Sequence, residues 1–236
     1  MVGMPVPLVL LPGMNCGPGL WADPVEVLSA EGAAREVVVE RLDRPSVDGQ
    51  VEDLLDRLPD RFALGGLSLG AIVAMAVHRL APERVAGLFL LATNARPPTP
   101  AQQEAWQAQL DRLAAGHTAA ELQEESLGVL VGAHADPDLA DRALRLAVGS
   151  EELTAQLRLQ QSRTDERPGL QAVTVPCAVV APGADQLCPL DRHTEIHSLA
   201  KGSELIVIPG APHLATLSHG RSVAAAMAGW LRRVDG

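Results

Sequence analysis

Short runs that are apolar on both faces recur along this chain, each separated from the next by a stretch with helical spacing. "PLVLL" (Pro7 to Leu11), "EVVVE" (Glu36 to Glu40), "FALGG" (Phe62 to Gly66) and "GLFLLA" (Gly87 to Ala92) come first, and "CAVVA" (Cys177 to Ala181) and "ELIVIP" (Glu204 to Pro209) follow a long interval. A strand apolar on both faces needs cover on both, and strands that alternate with helices pair in parallel. The pattern predicts an α/β fold with about six mostly parallel strands and helices on both faces of the sheet. Helices are expected near Pro24 to Glu31, and over Val51 to Leu58, Leu69 to Leu80, Leu190 to Ala200 and His219 to Arg233. Pro82 stops the Leu69 helix, because the residue before a proline is pushed out of helical space.

The interval from Pro97 to Thr174 contains no strand-like run. Thr118 with Glu121 forms a capping box, Asp136 precedes Pro137, and Ser150 precedes Glu151 and Glu152, so each marks a helix start. The 236 residues are enough for one compact core with an addition. Residues 1–96 and 175–236 read as that core, and residues 97–174 as a helical cap insertion over one edge of the sheet.

Composition narrows the chemistry. The formal net charge is −10 and Lys201 is the single lysine, so neither nucleic acid nor an anionic membrane surface is an expected partner. The lone lysine also disfavours a Schiff-base cofactor, and no CxxC pair, P-loop or Gly-x-Gly-x-x-Gly occurs; no cofactor is expected. Aromatic content is 2% with no tyrosine, which leaves little material for base-stacking platforms or quaternary-amine cages. The apolar start has no cationic residue before Arg35 and carries Pro5, Pro7 and Pro12, so it does not read as a signal peptide. No run reaches the roughly 18 apolar residues of a membrane helix. Cys16, Cys177 and Cys188 are an odd set in a chain large enough to fold without disulfides, which predicts a cytoplasmic location.

Gly66-Leu67-Ser68-Leu69-Gly70 joins the "FALGG" strand to the helix that follows. A turn this sharp leaves no room for flanking side chains and lifts Ser68 Oγ above the sheet edge, beside the positive end of a helix. A serine hydroxyl needs a base, and the base an orienting acid. Of seven histidines, His213 alone follows the last strand in a loop that can reach the carboxyl edge of the sheet. His78 lies far along the serine's own helix, His117 and His134 fall between insertion helices, and His219 begins the final helix. The loop after "CAVVA" offers Asp185, with Asp191 a second choice deeper in the next helix; Asn94, after "GLFLLA", cannot ionise. The oxyanion of a tetrahedral intermediate needs N–H donors. Leu69 in the elbow and Met14, after Gly13, are the expected ones, with Asn15 a turn residue that could add a side-chain donor.

Cys188, His193 and His197 are spaced loosely like a zinc site but lack a fourth ligand, so no metal is expected. Arg163, Asp165, Glu166 and Arg167 in "SRTDERPGL" read first as a salt-bridged hinge where the insertion returns to the core, and second as contacts for an anionic substrate.

"LVLLPGMNCGPGLW", "FALGGLSLGAIVAMAVHRLAPERVAGLFLLATNARP", "CAVVAPGADQLCPL" and "ELIVIPGAPHLATL" together resemble the α/β-hydrolase superfamily over about Leu8 to Leu231. Within it, the chain is similar to small cap-bearing bacterial carboxyl-ester hydrolases of the pimeloyl-carrier-protein methyl esterase kind. The resemblance implies Ser68 as nucleophile, Asp185 as acid, His213 as base, and Met14 and Leu69 as oxyanion donors. Pro12 stands where many members have histidine, Ala71 where a third glycine is common, and the chain starts at what resembles the family's third strand. A serine nucleophile disfavours haloalkane dehalogenation.

The expected activity is hydrolysis of a small-molecule carboxylic ester, thioester or lactone through an acyl-enzyme. The rivals are a non-catalytic ligand-binding or scaffold protein on the same fold, and perhydrolysis or carbon–carbon bond hydrolysis by the same triad. Trp21 and Trp106 are the candidate pocket residues. Leu110, Leu113, Leu127, Leu130 and Leu146 supply further apolar surface for the insertion's face toward the site.

Overall fold

The computed structural model describes residues 5–30 and 35–236. Its strands are β1 (Leu8–Leu11), β2 (Val37–Val39), β3 (Phe62–Leu67), β4 (Val85–Leu91), β5 (Cys177–Pro182) and β6 (Glu204–Ile208). They form one sheet in the order β2-β1-β3-β4-β5-β6, every neighbouring pair parallel. The helices are α1 (Ala22–Ala30), α2 (Val47–Arg57), α3 (Leu69–Leu80), α4 (Pro100–Ala114), α5 (Ala119–Val131), α6 (Pro137–Leu144), α7 (Ser150–Gln161), α8 (Arg167–Leu170), α9 (Leu190–Leu199), α10 (Ala215–Ser218) and α11 (Gly220–Asp235).

Alternating strand residues divide the core into two layers, as a period of two requires. Val9, Leu11, Leu64 and Leu90 pack with Val51 and Leu54 of α2, much of α3 and Ile196 of α9. Leu8, Leu10, Phe89 and Val180 face the other way, onto Leu28 of α1 and Met227 and Trp230 of α11. Trp21 belongs to this second layer. It is fully buried, and its Nε1 donates to Leu11 O at 3.1 Å.

All six runs read as strands are strands, with ends moved by a residue or two. The larger differences are at helix starts. α2 begins at Val47 rather than Val51, because the Ser46 side chain accepts from Gly49 N and starts the helix early. Ser150 is the first residue of α7 and not its cap; Gly149 takes that place, and Ser150 Oγ accepts from Ala119 N at 3.3 Å instead. Thr99 and Gln102 form a capping box on α4 that the sequence reading passed over, while the expected box at Thr118 and Glu121 and the N-cap at Asp136 are present. Glu31, where the first expected helix ends, lies outside the described residues.

Between β4 and β5 the chain is helical from α4 through α8. Its two ends are tied together, since Glu166 N donates to Ala95 O at 2.9 Å and the Glu166 carboxylate pairs with Arg79 of α3 at 2.9 Å.

From β1 the chain goes first to β2 on one side and then to β3 on the other. In an open parallel sheet, such a reversal opens a crevice at the strands' carboxyl ends, where ligands bind. Here β3 turns into α3 within the space of Ser68, whose φ of 55° and ψ of −113° are rare for a residue with a side chain. The turn is possible because Gly66 and Gly70 have no Cβ. A Cβ on Gly66 would lie 2.3 Å from Gly70 C, and one on Gly70 would lie 2.3 Å from Leu11 O. Both obstacles are backbone, which cannot rotate aside. Gly70→Ala should therefore cost about 2–3 kcal/mol or more of unfolding free energy. Gly128→Ala, in α5 with open space around it, should stabilise by up to ~1 kcal/mol. Urea unfolding midpoints of the two variants, expected on opposite sides of wild type, check this.

Candidate active site

The loops at the carboxyl ends of β1, β3, β4, β5 and β6 meet around one cavity of about 170 Å³. Gly13 and Met14 follow β1, Ser68 follows β3, Thr93 and Asn94 follow β4, and Cys188 and His213 come from the loops after β5 and β6. A wider open depression of about 590 Å³ between α1 and the start of α11 holds none of these groups.

Ser68 is fixed from both sides of its turn. Its N–H donates to Leu91 O at 2.9 Å, and its carbonyl accepts from Ala71 N and Ile72 N at 3.1 Å and from Thr93 Oγ1 at 3.0 Å. These bonds leave the side chain facing the cavity. His213 is buried, and its Nδ1 lies 2.8 Å from Asp185 Oδ2. The other carboxylate oxygen, Oδ1, accepts from Leu187 N at 2.8 Å and Cys188 N at 3.0 Å. Burial pushes the Asp185 carboxyl up, but the hydrogen bond and charge of His213, helped by the Cys188 and Leu187 N–H groups, outweigh it and hold the group below its ordinary value. Asp185 is thus an anion aimed at one nitrogen of an imidazole whose ring lines the cavity with Ser68. The serine and the imidazole are not hydrogen-bonded to each other here; such contacts often tighten only when substrate is bound.

Among the described residues, the backbone N–H groups of Met14 and Leu69 have no protein acceptor. Met14 lines the cavity, and Leu69 is the first residue of α3, where a helix leaves its N–H groups unpaired. Gly13 allows the approach of the two loops, since a Cβ there would stand 3.1 Å from Leu67 Cδ2 and 3.6 Å from Ser68 Cβ. Asn15 makes the turn with φ of 56°, and its side chain is committed elsewhere: Nδ2 donates to Ala119 O at 2.8 Å and Oδ1 accepts from Val148 N at 3.2 Å. It offers no donor to the cavity.

Of the expected pocket residues, Trp106 lines the cavity and Trp21 does not. Trp21 is core because the short helix of Pro18–Trp21 turns it back beneath β1. Leu130 lines the cavity, whereas Leu110 and Leu113 pack around Trp106 in a separate cluster and Leu127 and Leu146 pack on the sheet's second layer. Asp191 is exposed at the first turn of α9, away from His213's partner.

His193 gained a role that sequence reasoning did not give it, and Arg163 proved to stand apart from the salt-bridged hinge first expected of it. His193 is fully buried, accepting from Thr93 N at 3.1 Å through Nε2 while Nδ1 faces Pro189 O at 3.3 Å. It thereby braces the loop whose Thr93 holds Ser68. His197 bonds Ser203 Oγ at 2.9 Å, so the two α9 histidines point to separate partners. Arg163 is 94% buried by its 6% exposure, and it lines the cavity with its guanidinium 5.2 Å from the Trp106 ring centroid. Asp185, Cys188 and His213 could together touch one ion, but two of them are already paired with each other.

A six-stranded parallel sheet with a serine on a strained strand-to-helix turn and an acid and a histidine after later strands defines an α/β-hydrolase fold. The model of the "Alpha/beta hydrolase family" matches residues 8–226, and the chain belongs to that family. The chain is 27% identical over 239 residues to a pimeloyl-acyl-carrier-protein methyl ester esterase of Edwardsiella ictaluri, covering 93% of this chain and 91% of that one. It is 25% identical over 221 residues to the biotin biosynthesis bifunctional protein BioHC of Cellvibrio japonicus. That match covers 87% of this chain but only 43% of the bifunctional protein, less than half its length. Among solved structures, a thermophilic esterase from Thermogutta terrifontis superposes with a TM-score of 0.86 at 24% identity, over 99% of this chain and 92% of that one. Among the described residues, no helix is long and apolar enough to cross a membrane.

Burial holds His193 and His78 below their ordinary value of 6.5, so folding disfavours the protonated form of both. The unfolded chain then takes up more protons as the pH falls through about 6.5. The contribution of these groups to stability is full above that pH and is lost below it. Thermal midpoints should fall between pH 7 and pH 5, and His193→Gln should make that fall shallower, as calorimetry at a series of pH values would show.

Proposed function

We propose that the protein is a serine hydrolase that cleaves the carboxylic ester of a small molecule through an acyl-enzyme. The observation that carries this reading is the convergence on one cavity of a strained serine, a histidine held by a buried carboxylate, and Met14 with its unpaired backbone N–H, next to the unpaired N–H of Leu69 that follows the serine. Esterase-named relatives agree with it. His213, oriented by Asp185, takes the Ser68 proton as Oγ attacks the carbonyl, and the oxyanion is received by the N–H groups of Met14 and Leu69. His213 then passes the proton to the departing alcohol. In the second half, it activates the water that releases the acid. Thioesters and lactones present the same carbonyl and fall within the same chemistry.

Treatment with a fluorophosphonate followed by peptide mass spectrometry tests the reading, with an adduct on Ser68 expected. A folded protein that takes no adduct would instead be a binding protein on this fold. Ser68→Ala and His213→Ala should each lower ester turnover by about 10³-fold or more, and the double variant little further, since residues that act as one unit do not add. Asp185→Asn should fold and be impaired, as steady-state kinetics would record.

The helical segment of residues 97–174 serves as the cap that selects the substrate. It contributes Trp106, Leu130, Gln160 and Arg163 to the cavity wall. Trp106, Met14, Leu130 and Leu187 also border an adjoining space of about 210 Å³. Trp106→Ala would join the two. The specificity ratio of longer to shorter acyl esters should then rise, by roughly 10-fold per methylene newly accommodated; an unchanged ranking in a p-nitrophenyl ester series would place Trp106 in the cap's own packing only.

A further inference from the structure

Arg163 is a buried guanidinium that lines the cavity with Ser68, and among the described residues no acid pairs with it. The two acids that follow it in sequence are turned to other arginines: Asp165 to Arg167 at 2.6 Å and Glu166 to Arg79 at 2.9 Å. What Arg163 does meet is neutral. Nη1 donates to Gln160 Oε1 at 2.8 Å, Nη2 reaches Arg96 O at 3.4 Å, and the Trp106 ring covers one face. Its Nε is buried with no partner. Cys188 is the titratable group nearest in effect, but burial pushes its thiol up to about 12, so it carries no charge. Burial draws the guanidinium itself down to about 10, which leaves it a cation at neutral pH.

A buried charge without a partner is costly, and a protein keeps one where something else supplies the opposite charge. Arg163 lines the cavity that also contains Ser68. Gln160 and Gln102 border the same space and add neutral amide groups beside the cation. Leu67, Ile72 and Leu214 give the same cavity apolar lining. The protein's net charge of −10 gives no general attraction for an anion, so any preference for one has to arise at this residue.

We infer that the substrate is an ester bearing a second, anionic group, a carboxylate, which Arg163 receives while Ser68 attacks the ester carbonyl. This deepens the hydrolase reading and rests on it. A cavity of about 170 Å³ is small for a ligand pocket and suits a short substrate. Monoesters of short dicarboxylic acids fit that description from the acyl side, and acyl esters of short hydroxy acids fit it from the alcohol side. In both, the guanidinium replaces the carboxylate's water shell with charge-assisted hydrogen bonds.

The test compares each anionic ester with a neutral partner in which an isopropyl group replaces the carboxylate. p-Nitrophenyl hemiglutarate examines the acyl side, and the acetate ester of hydroxypropanoate, followed by pH-stat, examines the alcohol side. The wild-type chain should favour the anionic ester by about 10-fold or more in kcat/KM in one of the two pairs, which also identifies the side. Arg163→Met should lower that ratio by roughly 30-fold, with Arg163→Lys between the two. Equal treatment of both pairs by the wild-type chain overturns the inference, and so does a ratio unmoved by Arg163→Met. Should Arg163→Met fail to fold, competitive inhibition of p-nitrophenyl acetate hydrolysis by glutarate, absent with a neutral diol of the same length, is the expected wild-type result; equal inhibition by both overturns the site. Calorimetry with glutarate and the Ser68→Ala variant separates this inference from the reading beneath it. Glutarate bound there and lost in Ser68→Ala/Arg163→Met, in a wild-type chain that hydrolyses no ester, upholds the anion site and overturns the hydrolase.

Discussion

The backbone of Gly70 passes so close to β1 that no side chain can stand between them, and much of the site's geometry follows from that contact. It presses the first turn of α3 against the end of β1, which brings the Gly13 loop beside Ser68. The same crowding at Gly66 forces the chain from strand to helix within one residue, so Ser68 takes a backbone conformation that costs of order 1–3 kcal/mol in isolation. The surrounding hydrogen bonds from Leu91, Thr93 and the first turn of α3 over-determine that conformation. Strain and attachment are thus concentrated at a single hydroxyl.

Around it, electrostatics are graded by partner. Asp185 is buried and ionised because three donors face it, while burial holds His193 below its ordinary value, toward the neutral imidazole, against the pull of its Pro189 carbonyl partner. Arg163 is buried and cationic with neutral neighbours. Each group has a different relation to water: the first has exchanged water for donors, the second is pushed toward its uncharged form, and the third keeps a charge among neutral groups at the cavity wall.

What the sequence made legible is what local chemistry determines. Strands apolar on both faces, such as Leu8–Leu11 and Cys177–Pro182, can only be central and parallel, and the glycines on either side of Ser68 have one physical explanation. His213 and Asp185, each the first suitable side chain past a strand end, were singled out by the same logic, and they stand 2.8 Å apart. Trp21 was misplaced because a large apolar residue near the site in sequence can turn inward as readily as outward, and the Leu11 carbonyl gave its N–H a buried partner. Ser150 and Gly149 compete for one cap, and the choice depends on Ala119, distant in sequence. Arg163 looked like one more member of a salt-bridged hinge. Only three-dimensional placement shows that Asp165 and Glu166 turn to Arg167 and Arg79 and leave it alone.

The tie between Ala95 and Glu166 closes the helical segment at its base, so the sheet meets that segment as a closed loop whose ends stay together. Closing a loop costs little more as it lengthens, about 0.6 kcal/mol for each doubling. Residues inside it can be exchanged, added or removed while β4 and β5 stay in register. Ser68 and the helical segment are therefore held in opposite ways, the first by backbone crowding that tolerates almost no change in side chain, the second by a clasp that tolerates a great deal of change within it.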